Sequence, residues 1–176
     1  MSNAGREERS FRTISDADLR RLAKIAADDR KDFFKRHQGW AALYRNRVLC
    51  TALCQGAALH YVNGHIGIND FDVYTFYSES PRRRWYAKAL RSRDFGSSKF
   101  GQTKDRPNFV GRRVDLMGRS LAAKTSDDPV VALRRYLQES RTRSAQLLAE
   151  KAVVILEPAR IRGTVVWPVA TSKAAV

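Results

Sequence analysis

The sequence predicts a mixed α/β domain, and three observations carry that expectation. Apolar residues recur at helical spacing in segments near both ends of the chain. Short runs rich in branched and aromatic residues lie between them. The 176 residues suffice for one hydrophobic core with short extensions. A hydrophobic fraction of 43% with 29% charged residues suits a folded soluble protein. No apolar run approaches the ~20 residues of a membrane helix. The longest, from Val48 to Leu59, is broken by Thr51, Gln55 and Gly56. The polar, charged N-terminus is no secretory signal, so a cytoplasmic protein without a membrane partner is expected.

Residues 1–14 lack periodicity and are expected to form a flexible tail. A single domain should then run over 15–168, with a second tail at 169–176. Ser15 followed by Asp18 has capping-box spacing, and Leu19, Leu22, Ile25 and Ala26 share a helical face, which predicts a helix from Ser15 to Ala27. Phe33, Phe34, Trp40, Leu43 and Tyr44 mark a second helical stretch that Gly39 should interrupt. Val48 to Cys54 reads as a buried strand, although periodicity alone does not exclude a helix. It ends in Gln55-Gly56-Ala57, and Ala58 to Tyr61 could begin a short helix. Asn63-Gly64 marks a turn. Asp70 to Tyr77 is the strongest strand, closed by Pro81.

Residues 82–110 are basic, rich in Gly and Ser, and read as a long insertion, with a helix over 85–90. Gly111 to Met117 is another strand. Pro129 opens a helix carrying Val130, Leu133, Tyr136 and Leu137, and a further helix covers Ser140 to Glu150. Val153–Leu156 and Thr164–Trp167 form a strand pair joined through Pro158 and Gly163.

Charge is the strongest bulk signal. Lys and Arg number 33 against 18 Asp and Glu, a net charge of +15, and 24 of the 33 are Arg. Residues 51–81 carry no basic and three acidic groups, while residues 82–119 carry 12 basic and three acidic ones. An acidic island thus adjoins a cationic stretch, a field that attracts nucleic acid or another polyanion. The Arg preference is also what phosphate recognition favours, although a basic surface can serve solubility alone. Cys50 and Cys54 lie four apart in one segment and read as reduced core residues; no second Cys or His pair has zinc-ligand spacing.

If the protein does chemistry, that chemistry centres on Asp70, Asp72 and Asp115. Side chains alternate along a strand, so Asp70 and Asp72 project together while Phe71 and Val73 face a core. Paired carboxylates repel and raise each other's pKa unless a cation neutralises them, and with phosphate oxygens they suit Mg²⁺. Asp115 lies between Val114 and Leu116 on a similar strand. Were the two strands neighbours, all three acids would converge in the manner of metal-assisted phosphoryl or nucleotidyl transfer.

Cys54-Gln55-Gly56-Ala57, then Asp70-Phe71-Asp72-Val73, then Val114-Asp115-Leu116 together resemble the DNA polymerase beta-like nucleotidyltransferases. That family combines a strand ending in Gly-Gly or Gly-Ser, an acid-hydrophobic-acid strand, and a later strand with a third acid. The resemblance covers about residues 43–120. It implies a nucleotidyltransferase-like mixed β-sheet with flanking helices, a nucleoside triphosphate, and Mg²⁺ or Mn²⁺ at Asp70, Asp72 and Asp115. It also implies transfer of a nucleoside monophosphate to an acceptor such as RNA or a phosphorylated partner. Gln55, Gly56 and Ala57 would hold the triphosphate. Ala57 stands where the family commonly has Ser or Gly, so backbone N–H groups would have to do that work.

Other candidates are Lys99, for phosphate or acceptor, and Arg113, which alternation puts on the face of Asp115 with Arg112 opposite. Arg113 could equally form an ordinary ion pair. His60 and His65 read as structural or as bases. Trp85, Tyr86, Phe95 and Phe100 read either as packing residues or as stacking platforms for bases. The second functional reading is a catalytically decayed module of the same fold that binds nucleic acid.

Overall fold

The computed structural model describes residues 8–85 and 91–169. The expected helix over 85–90, except for Trp85, lies outside the described residues, as do Tyr86 and the tail segments 1–7 and 170–176. The protein is mixed α/β, with five α-helices flanking one six-stranded sheet among the described residues.

Helix α1 spans Asp16–Arg36. Its start is the anticipated capping box: Asp18 N–H donates to the Ser15 hydroxyl at 3.3 Å and Ser15 N–H donates to the Asp18 carboxylate at 2.7 Å. Such caps contribute about 1 kcal/mol. The helix runs well past Ala27, because Phe33 and Phe34 extend its buried face. Helix α2 follows at Gln38–Tyr44, so the interruption falls at His37, two residues before Gly39.

Strand β1 is Val48–Cys54 and leads directly into α3, Gln55–Asn63. Strand β2 is Phe71–Ser78, β3 is Arg91–Asp94, and β4 is Arg113–Leu121. Helices α4 (Pro129–Glu139, capped by Asp128) and α5 (Arg143–Ala149, capped by Thr142) precede β5, Ala152–Glu157, and β6, Val165–Trp167. The sheet order is β3-β4-β2-β1-β5-β6. Among the described residues only the β2–β4 pair is parallel. Central β1 is buried on both faces, which explains its unbroken apolar run.

Apolar clusters cover both faces of the sheet, one of them an aromatic group of Phe33, Phe34, Tyr44, Tyr77 and Trp85. On one face, Leu19, Leu22 and Ala26 of α1 and Ala57 and Ala58 of α3 pack on Leu53, Phe71, Val73 and Val114. On the other, Leu133 and Leu137 of α4 and Leu148 of α5 pack on Cys50, Cys54, Phe76 and Ile155. Both cysteines are buried free thiols, and burial pushes Cys50 up to about 12. Among the described residues no helix is long and apolar enough to cross a membrane.

The structure departs from the sequence expectation in three places. Residues 8–14 are not a detached tail: Ser10 and Ile68 exchange backbone hydrogen bonds of 2.9 and 2.7 Å, and Ile14 is buried. The described part of the 82–110 segment is not a loose insertion. It supplies edge strand β3 and two core rings, Phe95 and Phe100, that pack on Phe71. Its return is held by the Asp94 carboxylate, which accepts from the backbone N–H groups of Gly96, Val110 and Gly111 at 2.7–2.9 Å. Finally, Gln55-Gly56-Ala57 is the first turn of α3 rather than a turn before it.

Candidate active site

The three aspartates meet through strand register. On β2, Phe71 and Val73 enter the core under α1, so alternation turns Asp72 to the opposite face. Parallel pairing then sets Asp72 directly beside Asp115 of β4. Strand spacing separates such backbone neighbours by about 4.8 Å. On its other side Asp72 adjoins Cys54 of β1. Asp70 sits just before β2.

Arg113, two residues before Asp115 on the same strand face, joins the acids. Its Nη2 donates to Asp70 Oδ2 at 2.7 Å and its Nη1 donates to Asp105. Its Nε lies 3.1 Å from Asp115 Oδ2, at an angle that leaves Nε without a hydrogen bond. Asp115 is buried, and its Oδ1 accepts from the Ser92 hydroxyl at 2.7 Å. Among the described residues Asp72 receives neither an ion pair nor a side-chain hydrogen bond. Asp70, Asp105 and Asp115 are thus gathered around one guanidinium, with Asp72 beside Asp115 in the strand register. Asp105 and Ser92 escaped the sequence reading, since neither belongs to a patterned segment near the acids.

Electrostatics follow from this crowding. Burial, then the charges of Asp70 and Asp115, push the Asp72 carboxyl up to about 7. Burial opposes the charge of Arg113, but the Asp70 hydrogen bond and the charges of Asp115, Asp70 and Asp105 outweigh it and hold the guanidinium above its usual range. Burial, followed by the nearby Asp72 and Cys50, pushes the Cys54 thiol well up, so it is no nucleophile.

The donor chemistry here suits a hard divalent ion: carboxylate oxygens, one of them buried and repelled by its neighbours. The arrangement is nevertheless closed by Arg113, and among the described residues no group of three or more His, Cys, Asp or Glu side chains is set to hold a metal. A metal would fit only with Arg113 displaced from Asp70 and Asp115.

At the end of β1, Gln55 adopts φ +57°, the left-handed region that favours glycine. Its Nε2 donates to the Leu147 carbonyl at 3.4 Å. The pair at the strand-to-helix junction is therefore Gln55-Gly56, one residue earlier than the motif reading. Gly56 is half-buried, with only Ile66 Cδ1, at 3.8 Å, near the place of a Cβ. Ala57 is 2% exposed and belongs to the core under α1. A hydroxyl at this position would point into that core rather than to the surface.

Lys99 is engaged elsewhere. It pairs with Asp18 of α1 at 2.8 Å, on the side of the sheet opposite the Asp72 carboxylate. His60 is buried, accepts from Gly67 N–H through Nδ1 at 3.2 Å, and lies 3.2 Å from the Arg12 carbonyl through Nε2. Those partners assign it the neutral tautomer with the proton on Nε2, a structural role. Phe95 and Phe100 are 1% exposed core rings packed on Phe71, so neither presents a face for a base to stack on. Arg112, on the opposite face from Arg113, donates to the carbonyls of Phe100 and Glu8 at 2.7 Å.

No family model, curated protein or solved structure matches the chain. The family resemblance therefore rests on motif order alone, with the strand register as its structural counterpart.

Proposed function

We propose that the protein is a metal-dependent nucleotidyltransferase, moving a nucleoside monophosphate from a nucleoside triphosphate to an anionic acceptor. One observation carries this reading: Asp72 and Asp115 are register partners on adjacent parallel strands, and among the described residues Asp72 makes no ion pair, with Lys151 and Arg113 acting on it only at longer range. Asp72, Asp115 and Asp70 would hold Mg²⁺ or Mn²⁺, which when bound supplies positive charge to the triphosphate. The backbone N–H groups opening α3 at Gln55 and Gly56 would receive phosphate oxygens. Arg113, once released from Asp70, is a ready guanidinium for a phosphate. In the transfer, the acceptor hydroxyl oxygen bonds to the α-phosphorus as the bond to the α–β bridging oxygen breaks. The hydroxyl proton passes to a carboxylate or to water, and pyrophosphate leaves. The surplus of arginines favours RNA or a phosphorylated partner as acceptor.

A second reading, a decayed module that binds nucleic acid, is favoured by the Arg113 ion pairs and by Gln55 in a glycine-like conformation. Incubation with each α-labelled triphosphate, RNA and Mg²⁺ or Mn²⁺ separates the two. The transferase reading expects label in the acceptor, abolished by Asp72→Asn and Asp115→Asn, and metal-dependent thermal stabilisation by a triphosphate. No label and no such shift, with salt-sensitive RNA binding unaffected by Asp70→Ala and Asp72→Ala, would overturn it in favour of the module.

A further inference from the structure

The strand register that joins the acids continues past them to a lysine. Asp115, Asp72, Cys54 and Val153 stand in one row across β4, β2, β1 and β5. Cys54 and Val153 belong to the core under α4 and α5, which is the face of the Asp72 carboxylate. One residue further, Gln55 and Ala152 make a last antiparallel bridge. Beyond it the two chains part: Gly56 enters α3, and Lys151 joins the end of α5 to β5. Lys151 is two residues from Val153, so continued alternation turns it to the side of the acids. On the opposite flank of the same sheet end, Arg113 and Asp70 stand two residues from Asp115 and Asp72. Arg113 and Lys151 thus bracket the acids. Gly56 lies between them without a side chain, and only Ile66 Cδ1 comes near the place of a Cβ.

The two cations are in different states. Arg113 is engaged by Asp70, Asp105 and Asp115. Lys151 is exposed and makes no ion pair or hydrogen bond among the described residues. Its charge still reaches Asp72, where it heads the groups that oppose the rise of that carboxyl. A lysine close to carboxylates yet paired with none keeps its three N–H donors for another anion. The spacing says what kind. Two strand intervals of ~4.8 Å separate β2 from β5, roughly 10 Å. A single phosphate beside Asp72 does not span that interval, whereas a chain of phosphates laid over Gly56 does. We infer that Lys151 holds the outer phosphates of the triphosphate and makes the site select a phosphate chain over a single phosphate. This role rests on the transferase reading, which places the α-phosphate at the three aspartates. When the α–β bond breaks, the bridging oxygen keeps the electron pair and leaves with pyrophosphate, and the Lys151 ammonium donates to pyrophosphate oxygens without giving up a proton. The family resemblance, over about residues 43–120, does not reach Lys151.

Calorimetric titration of the full chain with inorganic tripolyphosphate and with orthophosphate, each in Mg²⁺, tests this. Wild type should bind tripolyphosphate at least about tenfold more tightly than orthophosphate. Lys151→Met should weaken tripolyphosphate about tenfold, the size of a lost charge-assisted hydrogen bond, and leave orthophosphate unchanged. Lys151→Arg should keep most of the wild-type affinity. Lys35→Met, which removes an exposed lysine from the last turn of α1, should change neither, although it lowers the net charge equally. No preference of wild type for tripolyphosphate, unaltered affinity in Lys151→Met, or an equal loss in Lys35→Met would each overturn the inference. The transferase reading fails by a different sign, the absence of label in the acceptor. Label transferred equally well by wild type and Lys151→Met at low triphosphate would keep that reading and remove this role.

Discussion

Asp29 and Asp72 are both carboxylates set against the central sheet, and they are served in opposite ways. Asp29, on α1 and 2% exposed, accepts from two guanidinium groups, Arg91 Nε at 2.6 Å and Arg93 Nε at 3.0 Å. Those arginines belong to β3, so the cluster fastens an edge strand to a helix. On the other face of the sheet the ratio is inverted: Asp70, Asp105 and Asp115 contact one guanidinium, Arg113, while among the described residues Asp72 contacts none. A satisfied acid surrounded by arginines is a strut. A group of acids that shares one guanidinium is only partly paired, and burial with the charges of Asp70 and Asp115 holds the Asp72 carboxyl high.

The sharpest way to break this contrast is to remove the strut. Asp29→Ala removes the buried carboxylate that Arg91 and Arg93 share and should cost about 2–3 kcal/mol in urea unfolding. Hydrogen exchange should rise along β3 and at the Ser92 contact to Asp115. A loss below about 1 kcal/mol would mean that the pair is solvated in solution and that β3 is held by its backbone alone.

The matching change on the other face should act in the opposite direction. In the folded chain the Asp72 carboxyl sits at about 7, against an ordinary 3.8. The folded state therefore keeps a proton that the unfolded chain releases. The stabilisation from that proton is complete below about pH 4, declines as pH rises, and is gone above about 7. Asp72→Asn carries no charge to repel. Without metal it should match wild type near pH 4 and exceed it by on the order of 2 kcal/mol at pH 8. Mg²⁺ at pH 8 should stabilise wild type and leave the variant unmoved. A variant less stable than wild type at pH 8 in EDTA would show that Asp72 is already neutralised and that the site is a strut like Asp29.

Arg113→Gln sharpens the comparison at smaller amplitude. It removes the shared guanidinium, so in EDTA the variant should lose about 1–2 kcal/mol. Mg²⁺ should recover more stability in it than in wild type, since the ion no longer competes with an arginine. Equal recovery in both would show that the metal does not enter where Arg113 sits.

These two regions were unequally legible in the sequence. Asp72 and Asp115 stand in strands marked by flanking branched and aromatic residues, so period-two alternation placed their side chains and placed Arg113 with Asp115. The cores of α1 and α4 followed equally from spacing and caps. β3 did not, because Arg-Ser-Arg-Asp carries no apolar alternation; its strand exists through edge pairing with β4 and the long-range Asp29 cluster. Asp29 itself reads locally as one more charge in the run Asp28-Asp29-Arg30-Lys31-Asp32. Burial of a charge is decided by what folds over it, and that is not written beside it in the chain.

The junction before α3 shows the same limit on a backbone scale. The motif reading put the special residue at Gly56, where a glycine is visible, but the left-handed φ falls on Gln55. Register with β2 decides this: Cys54 must pair with Asp72, which ends β1 there and leaves the next residue to turn the chain into α3. A non-glycine residue in this conformation costs about 1–2 kcal/mol. Gln55→Gly should relieve that strain, less what is lost with the Leu147 contact and gained in unfolded-chain entropy, for a net gain of about 0.5–1 kcal/mol. The effect is the smallest of the four, and thermal unfolding in EDTA reads it. If the junction receives phosphates, the glycine should also tighten metal-dependent triphosphate binding, because it clears a side chain from the N–H groups opening α3. Greater stability without tighter binding would make Gln55 a purely structural strain and move the triphosphate away from this turn.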